Sequence, residues 1–344
     1  MTIALAMIVR DEAATIERCL KSVHGLVDSV VIVDTGSTDG TQQVIKDWVA
    51  TTDIHGWMHD RPWVNFGHNR TELMDLAFGK ADWLLLLDAD HTVVHDGPPD
   101  LNGSADSYML RHADEPEYWV KRLVAGHKHW HFVGATHEFI ATNEAEIPPS
   151  RLRAITVHHY ADGGHRPEKF ERDLLLLKDE EQRNPDDPRT VFYLANTLRD
   201  LGRKDEAVEA YERRAVLGGW VEEHYCALYE AGRLTGDVQK LLAAWSFRPT
   251  RAEPLYEIAW RMRRQRFWAA AHLVAERAQR IPMTDDALFV HRWVYEWGCE
   301  FELSIAAWHV GNIEQARESS DRLLECETLP PKYREHVIEN RTFL

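Results

Sequence analysis

Short continuous apolar runs alternate with helically periodic stretches through the first half of the chain. Ile3–Val9 is a β-rich run followed by a helical stretch over 12–23, and a second run at 30–33 leads through a Gly/Ser/Thr turn into a helix over 42–49. A third helical stretch, 69–78, precedes an apolar run at 83–87. Uninterrupted apolar strands bounded by turns, with helices between them, predict a mostly parallel sheet covered on both faces, an α/β Rossmann-like architecture. Ligands bind outside the carboxyl ends of such strands. That rule sets Arg10, Asp11, Asp34, Thr35, Asp88 and Asp90 along one rim.

From about Pro167 the strand signal ends and helical periodicity takes over. Residues 191–202 followed by 205–211 have the tetratricopeptide pattern, a first helix ending at a glycine and a second carrying a small alanine for close packing. Turns of the same kind recur at Gly236 and Gly311, with a weaker one near Gln265, and Gly202 to Gly236 spans 34 positions. Three or four helix pairs in a short, degenerate solenoid are expected. The predicted division is an α/β domain over 1–165 and an all-α repeat domain over 166–344, the boundary falling between Gly164 and Pro188. Seven tryptophans between Trp220 and Trp308 read as core of the superhelix, with a concave aromatic binding face as the sharper alternative.

Composition narrows the function classes. A length of 344 residues is about twice the usual ~150 per domain, and 44% hydrophobic with 10% aromatic content suffices for a real core. No apolar stretch approaches the ~20 residues of a membrane span, and no leader pattern opens the chain, so a cytoplasmic protein is expected. Four scattered cysteines without a CxxC pair read as reduced thiols. A formal charge of −16 argues against non-specific attraction to a phosphate backbone, although Arg261, Arg263, Arg264 and Arg266 form a local basic cluster. Histidine is concentrated, 14 of 19 lying at or before His165.

Two clusters carry candidate chemistry. The apolar run 83–87 ends in Asp88-Ala89-Asp90-His91, where two carboxylates at i and i+2 can project from one side of a strand end. Such charges repel unless solvated or bridged by a cation, and oxygen ligands suit Mg²⁺ or Mn²⁺ bound together with a diphosphate. The run 30–33 delivers Asp34 to the rim, before a Thr-Gly-Ser-Thr-Asp-Gly-Thr turn in which Asp39 or Thr38 could simply cap the next helix. His127, His129 and His131 alternate as on one strand face, which fits a polar edge strand better than a zinc site.

Met7-Ile-Val-Arg-Asp-Glu-Ala-Ala-Thr-Ile-Glu-Arg-Cys-Leu20, the turn after Asp34, Asn65-Phe-Gly-His-Asn-Arg70 and Leu87-Asp-Ala-Asp90 occur in the order found in glycosyltransferase family 2. The chain resembles those GT-A-fold, nucleotide-sugar-dependent inverting enzymes over roughly 1–165. Its second half resembles the tetratricopeptide extension of some bacterial members, with His158-His-Tyr-Ala-Asp-Gly-Gly-His-Arg166 and Gly218-Gly-Trp-Val-Glu-Glu223 as matching signatures. The resemblance implies that Val9, Arg10 and Asp11 with Asp34 hold the nucleoside and Arg70 faces the nucleotide or diphosphate. It implies Asp88 at ribose or metal-bound water, and Asp90 as a metal ligand completed by His158, or else His159. Glu138 is the expected base, with His137 orienting it or touching the donor and Asp114 and Glu115 as alternatives. A UDP-sugar, a divalent cation and a peptide, protein or other acceptor presented near the repeats are the implied partners. The competing expectations are a repeat scaffold with a silent transferase domain and a transferase acting on modified bases in DNA.

Overall fold

The computed structural model describes residues 1–101, 105–160, 162 and 167–343. These form two compact units, Met1–Pro185 and Asp186–Leu344. The expected boundary at 165/166, and His165 with it, lies outside the described residues.

The first unit is built on an eight-stranded sheet. Its parallel part is β1 (Ile3–Val9), β2 (Ser29–Asp34), β3 (His55–Asp60) and β4 (Trp83–Leu86), interleaved with α1 (Ile16–Ser22), α2 (Thr41–Ala50) and α3 (Phe66–Ala77). Then follow β5 (His91–His95), β6 (Ser107–His112), β7 (Tyr118–Ala125), β8 (His131–Val133), β9 (Phe139–Ala141), β10 (Ser150–His159) and α4 (Pro167–Arg183). Strand order is β3-β2-β1-β4-β7-β6-β10-β5, while β8 and β9 pair separately as a hairpin. The chain passes outward from β1 through β2 to β3 and then returns to the other side of β1 with β4. The carboxyl ends of β1 and β4 therefore flank the switch point where α/β sheets bind ligands.

Alternation along the buried strands explains the layers. Ile3, Leu5, Met7, Val30, Ile32 and Leu85 face one core with Ile16 and Leu20 of α1 and Ile45 and Trp48 of α2. Ala4, Ala6, Val31, Val33, Leu84 and Leu86 face the other with Leu73, Met74 and Ala77 of α3. The continuous apolar runs thus mark strands covered on both sides.

The second unit is helical: α5 (Pro188–Asp200), α6 (Lys204–Arg214), α7 (Val221–Thr235), α8 (Val238–Phe247), α9 (Glu253–Arg264) and α10 (Trp268–Gln279). A π-helical turn, Val294–Gly298, leads into α11 (Cys299–His309), followed by α12 (Ile313–Glu325) and α13 (Pro331–Arg341). Helix α5 packs on α6, α7 on α8, α9 on α10 and α11 on α12, giving four pairs. Gly236 adopts φ +75 at the end of α7, the left-handed conformation that lets a helix stop and the chain turn back. The tryptophans depart from the core expectation. Trp297 is buried, but Trp220 and Trp308 are more than 40% exposed. Trp260 and Trp245 lie beneath Arg264 and Arg277, and Trp268 stacks on His309. Amphipathic rings here cover the ends and sides of helices rather than fill one interior. No described helix is long and apolar enough to cross a membrane.

Candidate functional site

Strand β2 carries Asp34 into a buried position, 1% exposed, at the sheet's carboxyl edge. Its Oδ1 accepts from the amides of Gly36 and Ser37, both at 2.7 Å, and its buried Oδ2 has no partner. A desolvated carboxylate oxygen left unpaired is costly unless a ligand donates to it. Around it the turn is tied down by β1. The Val9 carbonyl accepts from the Thr35 amide at 2.9 Å, the Asp11 amide donates to Ser37 Oγ at 2.9 Å, and the Thr38 amide donates to Asp11 Oδ1 at 2.7 Å. Asp11 holds φ +54, a strained conformation for a non-glycine residue. Asp39 receives the amides of Thr41 and Ala13, a capping tie rather than a ligand contact.

The turn Asp88-Ala89-Asp90 separates β4 from β5, and its two carboxylates diverge. Asp88 pairs with the buried Arg70 of α3 and lies 3.5 Å from Arg122 Nη2 on β7. Burial opposes its charge, but Arg70, Arg122 and His91 outweigh that and hold its carboxyl well below the usual range. Arg70 Nε sits 2.6 Å from Glu138 Oε1, so one guanidinium spans Asp88 and Glu138. Burial disfavours the Arg70 cation too, and the two carboxylates more than restore it.

Asp90 turns the other way. Its Oδ2 meets His159 Nε2 at 3.0 Å, the hydrogen bond that raises the His159 pKa. Burial works against the charge of Asp90, and His159 and His91 pull its pKa below the ordinary value. Burial pushes His91 down to about 3, and its Nδ1 accepts the Asp88 amide at 3.1 Å. Asp90, His91 and His159 can each aim a ligand atom so that all lie within 4.8 Å of one another, the group of metal-capable side chains found among the described residues. His159 rather than His158 faces Asp90. Pairing of β10 with β5 sets His159 opposite His91 and His158 opposite Thr92, and alternation sends His158 to the other face. Asp88 lies outside that group, against the guanidinium groups of Arg70 and Arg122.

Glu138, 10% exposed at its side chain, ends the β8–β9 connection. That connection is docked on α3 and α4: the Phe66 amide donates to Ala135 O at 3.1 Å, and the Ala135 amide to Glu180 Oε2 at 2.8 Å. A Cβ on Gly67 would fall 2.2 Å from Gly134 O, so only glycine permits this approach. His137 is exposed and holds φ +50. Asp114 lies on the histidine side, 3.8 Å from His112 Nδ1 and accepting the His159 amide at 3.4 Å. Glu115 follows Asp114 in the same bend between β6 and β7. His112, pushed down to about 4 by burial, and Arg122 are site neighbours that carried no local pattern in the sequence. The three alternating histidines share no strand face: only His131 enters β8, and His129 stacks on Phe78.

Residues 5–107 match the model for glycosyl transferase family 2. Over 104 residues the chain is 36% identical to a TPR repeat-containing protein of Synechococcus elongatus, covering 30% of this chain and 24% of that one. It is 22% identical over 228 residues to the SPbeta prophage-derived glycosyltransferase SunS of Bacillus subtilis, covering 60% and 52%. An uncharacterized glycosyltransferase of Rickettsia felis is 32% identical over 88 residues, 26% of this chain and 28% of that one. The chain thus spans from a quarter to about half the length of these curated relatives. Among solved structures, MamA from Desulfovibrio magneticus overlaps 46% of this chain and 85% of its own at 16% identity and TM-score 0.35. The TPR protein YrrB overlaps 50% and 84% at 11% identity and TM-score 0.37.

Proposed function

With a family 2 glycosyltransferase domain in its first unit, we propose that the chain is an inverting, metal-dependent glycosyltransferase. In this reading it moves a sugar from a nucleotide-diphosphate donor, a UDP-sugar foremost, to a peptide or protein acceptor bound with the help of the helical repeats. The observation that carries it is the clustering, at one sheet edge, of an unpaired Asp34 oxygen, the Asp90–His91–His159 group and the Arg70-bridged pair Asp88 and Glu138.

The donor set fits a divalent cation. One carboxylate and two imidazoles within reach favour Mn²⁺ over Mg²⁺, which keeps to oxygen ligands. Asp90 and His159 would hold it, joined by His91 through Nε2 once His91 Nδ1 gives up the Asp88 amide and takes the ring proton, and when bound it supplies the positive charge that neutralises the departing diphosphate. Asp34 Oδ2 accepts an N–H or O–H of the nucleoside, while Val9, Arg10 and Asp11 act through the 35–38 turn they brace. Glu138 takes the proton from the acceptor's hydroxyl or thiol as that atom bonds to the anomeric carbon and the bond to the diphosphate oxygen breaks. Arg70 fixes the Glu138 carboxylate for that role, and exposed His137 contacts the donor. The DNA-base alternative loses support because Arg261 and Arg263 are paired with Glu257 and Glu302.

The test is release of nucleoside diphosphate by the full chain from a panel of nucleotide sugars with Mn²⁺. Release from at least one donor, falling by about 100-fold or more in Asp90→Ala, is expected. Silence across the panel, with partner binding unchanged in Asp90→Ala, would make the protein a scaffold.

A further inference from the structure

His159 is the last residue of β10 paired with β5. The exit is caught from outside. The Tyr160 amide donates to the Asp90 carbonyl at 3.2 Å. Two residues later, Asp162 receives both arms of Arg18, Nη1 to Oδ2 at 2.8 Å and Nη2 to Oδ1 at 2.6 Å. The same guanidinium lies 4.0 Å above the Tyr160 ring. Arg18 thus grips the chain on the first and third residues past His159, across 144 positions of sequence.

The base of this grip is rigid. Helix α1 buries Ile16, Cys19 and Leu20 in the sheet's core. The Val93 amide of β5 donates to Ser22 Oγ at 3.1 Å, and Cys19 Sγ lies 3.5 Å from the Asp88 carbonyl. One helix therefore contacts the Asp88–Asp90 turn, strand β5 and, through Arg18, the segment that leaves His159.

We propose that Arg18 is a positioning residue for the cation site, holding the His159 imidazole on Asp90 by clamping Tyr160 and Asp162. The proposal rests on the reading of Asp90, His91 and His159 as a metal site. Arg18 and Asp162 are 36% and 46% exposed at their side chains, and a pair so solvated adds little to stability. Its planar, two-pronged geometry and ring stacking instead specify where the segment lies, which a lysine cannot reproduce. Residues that orient metal ligands from outside the coordination shell change affinity by roughly 10–100-fold when removed.

Two measurements separate the possibilities. In metal-free protein, amide hydrogen exchange at Tyr160 reads the clamp itself: Arg18→Ala should lose protection there by about tenfold or more, while amides of β1 and β2 stay unchanged. Unchanged Tyr160 protection overturns the proposal. Titration with Mn²⁺, followed by electron paramagnetic resonance, reads the consequence. Arg18→Ala should bind about tenfold more weakly, Arg18→Lys should recover only part of the loss, and the melting temperature should scarcely move. Wild-type affinity in Arg18→Ala overturns the positioning role with the metal site intact. Failure of the wild-type protein to bind Mn²⁺ overturns the metal reading instead, and the exchange result then decides whether the clamp survives it.

Discussion

At the scale of single residues, Gly67 tests how closely α3 must approach the loop that carries Glu138. A methyl group there meets the Gly134 carbonyl at 2.2 Å, a backbone atom that cannot rotate away. Gly67→Ala should therefore cost about 1–3 kcal/mol in urea unfolding and shift Glu138 relative to Arg70, lowering turnover. Arg70 gives a second test, since one guanidinium compensates two carboxylates. Arg70→Ala should destabilise by about 3–5 kcal/mol through the charges it strands, and Arg70→Lys should recover only part because an ammonium cannot span both. Stability equal to wild type in Arg70→Ala would show that Asp88 and Glu138 find other partners. The apolar runs of β2 and β4 placed Asp34, Asp88 and Asp90 at strand ends, whereas Arg70, inside α3, came only from the family resemblance. That His159 rather than His158 faces Asp90 was not legible, since it turns on a one-residue register between β10 and β5, which no local pattern encodes. Arg122 and Arg18 make their contacts to Asp88 and Asp162 across distant elements, which no local pattern encodes.

At the scale of elements, the Gly218-Gly-Trp-Val-Glu-Glu223 motif acquires a structural meaning. Glu222 Oε2 accepts the amides of Ala287 and Leu288, both at 2.7 Å, and buried Glu223 pairs with Arg189 and Arg214. The motif thus ties the start of α7 to an irregular segment and to α5 and α6. Alongside it, Arg251 binds Glu253 through two prongs and Asp286 at 3.2 Å, while Tyr295 Oη donates to Glu253 Oε2 at 2.8 Å. Burial opposes the charge on Glu253, yet Arg251 holds its pKa below the ordinary 4.5. A carboxyl depressed on folding stabilises above its unfolded pKa, and that stability is lost as pH falls through the folded value. Glu222, raised by burial and by Asp286, works in the opposite direction. Glu253→Gln isolates the contribution of Glu253: it should cost about 3–5 kcal/mol at pH 7, and its deficit should narrow below about pH 4, as wild type loses the same charge. A deficit constant down to pH 3 in chemical unfolding would assign the cost to packing instead. Strand β3 escaped the sequence reading because it is a sheet edge, His-Gly-Trp-Met-His-Asp, with no buried position to set a pattern.

At the scale of the whole molecule, the thiols offer a reporter for each unit. Cys19 lies in the first unit and Cys226 and Cys299 in the second, all three buried, with burial pushing each thiol pKa up. Cys326, at the end of α12, is only partly covered. Since the thiolate is the reactive form, reagent must reach Cys326 in the native state and wait for unfolding at the other three. Alkylation of native protein, mapped by mass spectrometry, should label about one thiol per chain, and Cys326→Ser should abolish that fast phase. Across a denaturant series Cys226 and Cys299 should become reactive together, because α7 and α11 belong to one packed helical unit, while Cys19 follows the sheet. Native-state labelling of Cys226 or Cys299 as fast as Cys326 would mean that the helical unit opens locally without unfolding, and that its buried ion network does not hold the pairs of helices as one cooperative body.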